Sequence, residues 1–368
     1  MNETQWKLYT DSQETWQAML TACTNAKENI DLEQFIFVDD AIGKQIIDVC
    51  AERAHAGVRV RFLWDAAGSF SFFGSAIVEE LKKKGIELIF FKTLVPGFFK
   101  IPNYRSWYFR DHRRTLVIDG KVGFTGGIGV WEKLRTWRDM HVEIRGPVVH
   151  DMQKSFNRMW ARAKEEKVHR IEKKLQKKAA KEHLKKTGEF IYETNSPLPR
   201  RRFIYTRLIE AIRSAQKSIY ITNPYFVPTQ RLLRVLCLAA HRGVDVRLIL
   251  PEASDHPVVD LGARSYFQKL LRAGVKIYLF QGKMIHSKTI IVDEEWSSIG
   301  TQNLDRISLL YNFEANIIST NKWFSAELAE HFWKDMADSK ETTLEAWEKR
   351  IFLMKIPEFL VKFVRKFL

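Results

Sequence analysis

Cysteine is scarce in this sequence, and long apolar runs are missing. The 368 residues include three cysteines, which lie far apart at Cys23, Cys50 and Cys237. Their spacing excludes a disulfide scaffold and a cysteine-rich zinc site. No stretch reaches the roughly eighteen uninterrupted apolar residues typical of a membrane-spanning helix. The first residues, MNETQWKLYTDSQ, lack the basic and apolar regions of a signal peptide, so we expect a protein of the cytosolic side.

Acidic residues are too few to balance the basic ones. The chain has 59 lysines and arginines against 44 acidic residues, which gives a net charge of +15. Such an excess favours an anionic partner, either nucleic acid or an acidic membrane surface. Residues 158–186 hold 12 basic and 4 acidic side chains, a net +8 (12 − 4), in a segment of helix-forming composition. This segment fits either a solvated linker helix or a basic contact surface.

One pattern of charged residues around a short apolar run occurs twice. His286, Lys288 and Asp293 surround the run TIIV, and His112, Arg114 and Asp119 surround TLVI at the same spacing. Each apolar run predicts a short buried β-strand. In both copies six residues separate the aspartate from a small pair, Gly126-Gly127 or Gly300-Thr301. A spacing repeated together with its context indicates a duplicated functional element rather than an incidental histidine.

The duplication extends well beyond these motifs. Residues 26–63 run parallel to 215–249, each reading as strand, loop, amphipathic helix, glycine and strand, and residues 82–91 match 271–280. Gly57 and Gly243 fall where a helix C-cap belongs. The alternation predicts an α/β fold of two lobes, each a mixed, mostly parallel β-sheet flanked by helices. Two such lobes related by a pseudo-twofold axis would bring His112 and His286 to one cleft.

Two histidines beside two cations suit phosphodiester chemistry. A neutral imidazole can attack phosphorus to form a phosphohistidine, while a protonated one supplies the proton for the leaving oxygen. Arg114 and Lys288 would stabilise the charge that develops on the phosphoryl oxygens, and cations at this place disfavour a metal site. Asp119 and Asp293 end their strands too far along to reach their own histidines. They are left to pair with the opposite histidine or with a cation.

The duplicated H-x-K-x4-D pattern resembles that of the phospholipase D superfamily, and its context is most similar to the bacterial cardiolipin synthase branch. The resemblance covers about residues 25–320 and rests on LEQFIF (32–37), WDAAGS (64–69), HRRTLVIDGKVGFTGG (112–127), WRDMHVEIRGPVV (137–149), NPYFVP (223–228), IHSKTIIVD (285–293), GTQNLDRISL (300–309) and NFEANI (312–317). It implies two phospholipase D-like lobes that share one active site, without a metal or other cofactor.

The resemblance also implies roles for individual residues. His112 would be the nucleophile and His286 the general acid, and both motifs would contribute catalytic residues, namely His112, Arg114, Asp119, His286, Lys288 and Asp293. Substrate would be bound by Gly127, Thr301, Asn303 and the acidic residues Asp139 and Glu314. The first motif departs from the family at two positions, with Arg114 in place of a lysine and Gly129 in place of an asparagine. These departures leave open a different headgroup preference, a slower enzyme or a degenerate half.

Two further segments favour lipid over nucleic acid. An insert within 92–111, absent from the second copy, combines six aromatic residues with four cations, which suits a membrane rim. The last residues, 351–368, place apolar side chains at helical spacing on one face and cations off it. Each segment would alternatively pack on the protein core. No motif that reads nucleic acid is present, so the predicted partners are an anionic phospholipid membrane and a phospholipid substrate.

The sequence thus predicts a peripheral enzyme at the cytoplasmic face of the cell membrane. It would transfer a phosphatidyl group and join two phosphatidylglycerols into cardiolipin with release of glycerol. The alternatives are a hydrolytic phospholipase D, a nucleic-acid phosphodiesterase and a non-catalytic protein that binds anionic lipid. The predicted domains are an N-terminal lobe at 1–150, a basic helical linker at 151–200, a C-terminal lobe at 201–345 and an amphipathic helix at 346–368.

Overall fold

The computed structural model divides the chain into two compact units. It describes residues 3–72, 75–91, 109–164, 188–198 and 201–350, together with 357, 358 and 361. The first unit comprises Met1–Arg135, Met140–Thr187 and Asn312–Ala315, and the second comprises Thr136–Asp139, Gly188–Tyr311 and Asn316–Leu368. Most of the aromatic insert, the centre of the basic linker and nearly all of the C-terminal segment lie outside the described residues. The predictions for those segments therefore stay predictions.

The first unit is built on a seven-stranded sheet with the order β1-β7-β6-β5-β2-β3-β4. Its strands are β1 (Gln5–Tyr9), β2 (Asn29–Gln34), β3 (Arg59–Asp65), β4 (Ile86–Phe91), β5 (Thr115–Ile118), β6 (Val122–Gly126) and β7 (His141–Arg145). Its helices are α1 (Ser12–Thr24), α2 (Ala41–His55), α3 (Ile77–Lys83) and α4 (Val148–Ala163), with 3-10 turns at Phe70–Phe72 and Glu132–Thr136.

The second unit repeats this plan around an eight-stranded sheet with the order β15-β11-β10-β9-β12-β13-β14-β8. Its strands are β8 (Phe190–Asn195), β9 (Ser218–Thr222), β10 (Asp245–Pro251), β11 (Lys276–Phe280), β12 (Thr289–Val292), β13 (Trp296–Gly300), β14 (Glu314–Ser319) and β15 (Ser339–Thr342). Its helices are α5 (Phe203–Ser214), α6 (Gln230–His241), α7 (Pro257–Arg272), α8 (Arg306–Leu310), α9 (Lys322–Ala337) and α10 (Leu344–Glu348).

Local sequence determines where the repeated helices begin and end. Asp40 caps α2 by accepting a hydrogen bond from the Gly43 amide at 3.0 Å, and Thr229 caps α6 by accepting from the Leu232 amide at 3.2 Å. Gly57 and Gly243 follow these helices with φ of 88° and 89°, which only glycine adopts without strain. The predicted glycine caps are confirmed.

The mixed sheets flanked by helices are confirmed in both units, but parallel pairing is less extensive than predicted. It joins β2, β3 and β4 in the first sheet and β9, β10 and β11 in the second. The strands that follow the two histidines, β5 and β12, pair antiparallel with both of their neighbours. Consecutive strands that pair in parallel need a long crossover connection, which helices supply in both sheets, whereas β5 and β12 continue into the next strand through tight turns.

The apolar core explains why the strands after the histidines are uniformly hydrophobic. All four residues of β5 and all four of β12 are buried, because helices cover one face and neighbouring side chains the other. In the second unit α5, α6 and α7 contribute Ile209, Leu236 and Phe267 to this core. Among the described residues, no helix combines the length and the apolar character needed to cross a bilayer.

Candidate active site

His112 lies in an extended segment that buried ion pairs hold in place. Asp65, at the end of β3, accepts hydrogen bonds from Arg110 Nε at 2.9 Å, from Arg110 Nη2 at 2.6 Å and from the Asp111 amide at 2.9 Å. The main chain continues this anchoring, because the His112 amide donates to the carbonyl of Phe313 at 2.9 Å. The two residues before the histidine are therefore held in place by contacts that do not involve the histidine side chain.

The imidazole of His112 is oriented by a carboxylate 202 residues further along the chain. Its Nδ1 lies 3.1 Å from Oε2 of Glu314, whose side chain is fully buried. An ionised carboxylate only accepts hydrogen bonds, so the proton in this bond belongs to Nδ1 and the lone pair belongs to Nε2. The ring of Phe35 packs edge-on against the imidazole at 4.7 Å between centroids. The lone pair of His112 is thus held in one direction.

Arg114 and Gly129 adjoin one another beside this histidine. Arg114 Nη2 lies 3.4 Å from His112 Nε2, and its Nη1 donates to the His112 carbonyl at 3.4 Å. A Cβ added at Gly129 would lie 3.6 Å from Arg114 Nε and 3.4 Å from the carbonyl oxygen of Ile36. The broad guanidinium therefore borders the space where the second motif, at the equivalent position, carries the side chain of Asn303.

His286 repeats the arrangement in the second unit. Its Nδ1 lies 2.6 Å from Oδ2 of the buried Asp139, which again leaves the lone pair on Nε2. Lys288 Nζ donates to the His286 carbonyl at 2.6 Å and lies 3.1 Å from each ring nitrogen. The rings of Trp137 and Tyr225 pack on the imidazole at 5.2 and 5.9 Å between centroids.

The segment that carries Asp139 is itself anchored by a buried ion pair. Arg138 donates from Nε and Nη2 to the carboxylate of Asp335 on α9, at 2.7 and 3.0 Å. The main chain of Arg138 also pairs with the segment that carries His286. The Arg138 amide donates to the carbonyl of Met284, and the His286 amide donates to the carbonyl of Arg138 at 2.7 Å. Removing one partner of such a buried pair typically costs about 3–5 kcal/mol of stability. Arg138 and Asp335 are therefore positioning residues for Asp139.

The predicted substrate-binding residues of the second motif are held by amide side chains. Asn316 accepts hydrogen bonds from the backbone amides of Thr301 at 3.1 Å and Gln302 at 3.3 Å. The Asn303 backbone amide donates to Ser308 Oγ at 2.8 Å, whereas Oδ1 of Asn303 is buried and has no hydrogen-bond partner among the described residues. A buried acceptor left in this state marks a place where a hydrogen-bond donor is expected to bind.

Gly127 and its neighbour Gly126 serve backbone packing in the first unit. The Gly127 amide donates to the carbonyl of Met140 at 2.9 Å. At Gly126 an added Cβ would lie 2.5 Å from that carbonyl oxygen and 2.6 Å from Cα of His141, so a side chain has no room there. A contact between Gly127 and substrate stays a prediction.

Within its own unit, neither Asp119 nor Asp293 contacts the histidine of its motif; both bind backbone amides instead. Asp119 accepts hydrogen bonds from the consecutive amides of residues 27–29 at 2.7–2.9 Å, and Asp293 accepts from those of residues 216–218 at 2.7–2.8 Å. Partial burial acts to raise the pKa of each carboxyl, but the three amide donors hold both pKa values below the ordinary range. Each aspartate therefore fixes the start of a neighbouring strand, and the carboxylates that orient the histidines are Glu314 and Asp139.

The pattern of the motifs did not indicate several residues that complete the two sites. Asp65, Trp137, Arg138, Tyr225 and Asn316 lie in segments that support the family resemblance, but nothing in their spacing pointed to the contacts they make. Asp335 had no such signal, since it is one of three acidic residues on α9 and nothing in its spacing sets it apart from Glu327 and Glu330.

The geometry of the two sites agrees with the comparisons to known proteins. A family model described as "Cardiolipin synthase, PLD-like domain" matches residues 19–160 and 208–336. The chain belongs to this family. The two matched ranges include both histidine motifs as well as Asp139 and Glu314, so the predicted resemblance is confirmed.

Curated relatives in the family support the same assignment over nearly the whole chain. A cardiolipin synthase of Clostridium perfringens is 35% identical over 368 residues, which cover 97% of this chain and 75% of the relative. Cardiolipin synthase 2 of Bacillus anthracis is 36% identical over 363 residues, which cover 97% of this chain and 69% of the relative. At this identity the chain is a phosphatidyltransferase of the phospholipase D superfamily.

Solved structures show the same fold at low sequence identity. Phosphatidylserine synthase of Haemophilus influenzae superposes with a TM-score of 0.72 at 14% identity, and the match covers 99% of this chain and 92% of that one. A polyphosphate kinase of Porphyromonas gingivalis gives a TM-score of 0.60 at 13% identity, covering 100% of this chain and 54% of that one. These likenesses show that the two-lobed fold extends across the chain.

Proposed function

We propose that this protein is a cardiolipin synthase that transfers a phosphatidyl group from one phosphatidylglycerol to another through a phosphohistidine. One observation carries the proposal. Each of two histidines places Nδ1 on a buried carboxylate and has a cation within 3.4 Å of Nε2. This is the arrangement that a nucleophile and a proton donor for phosphoryl transfer both require. The proposal also takes the two histidines to share one site, as the duplicated motifs predict.

In the first step Nε2 of His112 attacks the phosphorus of a bound phosphatidylglycerol. An N–P bond forms, the P–O bond to the glycerol headgroup breaks, and protonated His286 gives its Nε2 proton to the departing oxygen. Free glycerol leaves. In the second step neutral His286 takes the proton from a hydroxyl of a second phosphatidylglycerol, whose oxygen attacks phosphorus. Cardiolipin forms and His112 is released.

The neighbouring groups stabilise the charge that these steps generate. Arg114 and Lys288 donate to the phosphoryl oxygens, whose charge grows as the transition state forms. When phosphate binds, its oxygens take these donors away from the imidazoles, so the lone pair of His112 becomes the attacking group. Glu314 and Asp139 keep each imidazole in the Nδ1–H form and stabilise its positive state. None of these roles needs a metal ion or an organic cofactor.

We further propose that the enzyme acts as a peripheral protein on the cytoplasmic face of an anionic membrane. The net charge of +15 supports attraction to such a surface. The aromatic insert within 92–111 and the amphipathic segment 351–368 would contact lipid directly. On this proposal the chain keeps its N-terminal lobe, basic linker and C-terminal lobe, but the predicted linker bounds of 151–200 were too wide, because α4 belongs to the first unit up to Ala163 and β8 joins the second sheet from Phe190.

The decisive experiment is turnover of labelled phosphatidylglycerol in vesicles, with EDTA present, followed by separation of the lipids. Cardiolipin and an equal amount of free glycerol are the expected products. His286→Asn should abolish cardiolipin formation and release at most one glycerol per protein molecule, whereas His150→Asn, which changes an exposed histidine on α4, should have no effect. Phosphatidic acid as the main product would instead identify water as the acceptor and a hydrolytic phospholipase D. Absence of any product by a folded protein would contradict the proposal.

A further inference from the structure

A groove on the outer face of α6 gathers four arginines of the second unit. It encloses about 470 Å³, and its lining includes Arg213, Gln230, Arg231, Arg234, Leu238 and Arg242. None of the described residues that line this cavity is acidic. Arg231, Arg234 and Leu238 stand three and four residues apart on α6, so they lie along one face of the helix. Arg213 is contributed by the last turn of α5. We call this cavity the arginine groove.

The charges of the groove are not compensated within the described part of the chain. There Arg213, Arg231 and Arg234 are exposed and form neither an ion pair nor a side-chain hydrogen bond. Arg242 does not contact a carboxylate either, since its Nη2 donates to the carbonyls of Ile212, Arg213 and Ala215 at 3.2–3.3 Å and caps α5. Several guanidinium groups that converge on one cavity without an acidic partner repel one another and favour a bound anion.

Some other arginines of the same unit do have carboxylate partners. Arg272 on α7 pairs with Glu348 at 2.7 Å, and Arg247 on β10 pairs with Asp245 at 2.7 Å. The groove therefore differs from the general basic surface of the unit. A solvated helix face with scattered charges would show a mixture of both signs, as the face of α7 does.

The groove also presents an apolar side chain among its cations. Leu238 is 46% exposed and lines the cavity beside Arg234 and Arg242. Arginines that surround an exposed leucine match the boundary of a bilayer, where phosphate groups lie above the first methylenes of the acyl chains. A soluble phosphate would use the guanidinium groups but would gain nothing from the leucine.

We propose that the arginine groove is a docking site for the headgroups of anionic phospholipids in a bilayer. Its arginines would bind lipid phosphates, and Leu238 would contact the acyl boundary. The inference rests on the proposed function insofar as an anionic bilayer is where the substrate would be found. The α6 helix begins five residues after Tyr225, whose ring packs on His286. Docking through α6 would thus hold the histidine-bearing unit at the surface that contains its substrate.

The test compares vesicle binding by two variants that lose the same charge. Arg231→Gln/Arg234→Gln removes two arginines of the groove, and Arg264→Gln/Arg272→Gln removes two from α7. Cosedimentation of the full chain is measured with vesicles of phosphatidylglycerol and phosphatidylcholine and with vesicles of phosphatidylcholine alone. An arginine near an anionic surface strengthens binding about fivefold, so the groove variant should lose roughly thirtyfold on anionic vesicles. The α7 variant should lose less than about threefold.

Further measurements separate this inference from the proposed function and from a soluble ligand. Both variants should keep wild-type melting temperatures and wild-type rates on a short-chain, water-soluble phosphatidylglycerol. Inorganic phosphate at millimolar concentration should not displace the wild-type protein from vesicles beyond the effect of chloride at equal ionic strength. Selective displacement by phosphate, or equal losses by both variants, would overturn the assignment. If the wild-type protein is inactive on every lipid but the groove variant still shows the selective loss of vesicle binding, the docking inference stands and the proposed activity is refuted.

Discussion

Arg114 and Gly129 should behave as one unit in the proposed reaction. The second motif carries Lys288 and Asn303 at the equivalent positions. Asn303 follows His286 by seventeen residues, just as Gly129 follows His112. In the first unit a Cβ at residue 129 would already lie 3.6 Å from Arg114 Nε. An asparagine there would place its carboxamide further out, so we expect that carboxamide to compete with the guanidinium for the same space. A lysine at 114 would leave that space unfilled.

The magnitudes follow from these contacts. Gly129→Asn should slow turnover about tenfold, which corresponds to about 1.4 kcal/mol and lies in the range for overpacking a buried site. Arg114→Lys should cost about ten- to a hundredfold, because a single ammonium replaces a planar fork of donors. If the two effects were independent, the double variant would lose about a hundred- to a thousandfold. Since the lysine makes room for the carboxamide, we expect the double variant to lose no more than about tenfold.

The assay is the initial rate of cardiolipin formation from phosphatidylglycerol by the four proteins of this mutant cycle. Gly129→Ala is the matched control, because its Cβ makes ordinary contacts of 3.4–3.6 Å and should leave the rate within about threefold of wild type. A coupling of at least about 1.4–2.7 kcal/mol is expected, since the double variant should be ten- to a hundredfold faster than independent effects allow, and this lies in the range for residues in contact. Losses that add within about 0.5 kcal/mol would refute the coupling of the two residues.

Three further predictions concern the histidines and the carboxylates. With ³²P-labelled phosphatidylglycerol and rapid quenching, His286→Asn should retain labelled protein and His112→Asn should not; label on His112→Asn alone would reverse their roles. Glu314→Gln should lower turnover at least a hundredfold with little change in melting temperature, and a change in substrate KM alone would contradict its action through His112. Asp293→Asn should lower the melting temperature more than the rate. Because amide donors lower its folded-state pKa, the contribution of Asp293 should be complete above about pH 4 and disappear as the pH falls further. A stability difference from wild type that does not shrink as the pH falls below about 4 would exclude this origin.

Spacing and periodicity predicted the repeated strands and helices because each depends on local sequence. The run from Thr115 to Ile118 and its counterpart in β12 read as buried strands, and Gly57 and Gly243 marked helix ends. The same local signals predicted too much parallel pairing. Strand direction depends on the connection that follows each strand, and the turns after the histidine-bearing motifs return the chain antiparallel.

The candidate site was predicted in its residues but not in its contacts. Within the first unit Arg114 lies beside His112, and within the second unit Lys288 lies beside His286, as each motif implied. The motif did not predict which carboxylates contact the histidines. Asp119 and Asp293, the aspartates of the motifs, bind backbone amides at the far ends of their strands. Glu314 contacts His112 and Asp139 contacts His286 instead. These pairs lie 202 and 147 residues apart in the chain, and no local pattern encodes such distant contacts.

These separations have a consequence for the order in which the protein becomes competent during its synthesis. Chains are produced at about 5–20 residues per second, so Glu314 emerges roughly 10–40 s after His112. Until then the imidazole of His112 lacks the carboxylate that fixes its tautomer. A nascent or truncated chain that ends before residue 314 therefore contains the complete first motif and yet an unoriented imidazole at His112. The first motif is thus expected to become competent only after residue 314 has been synthesised and has folded against it.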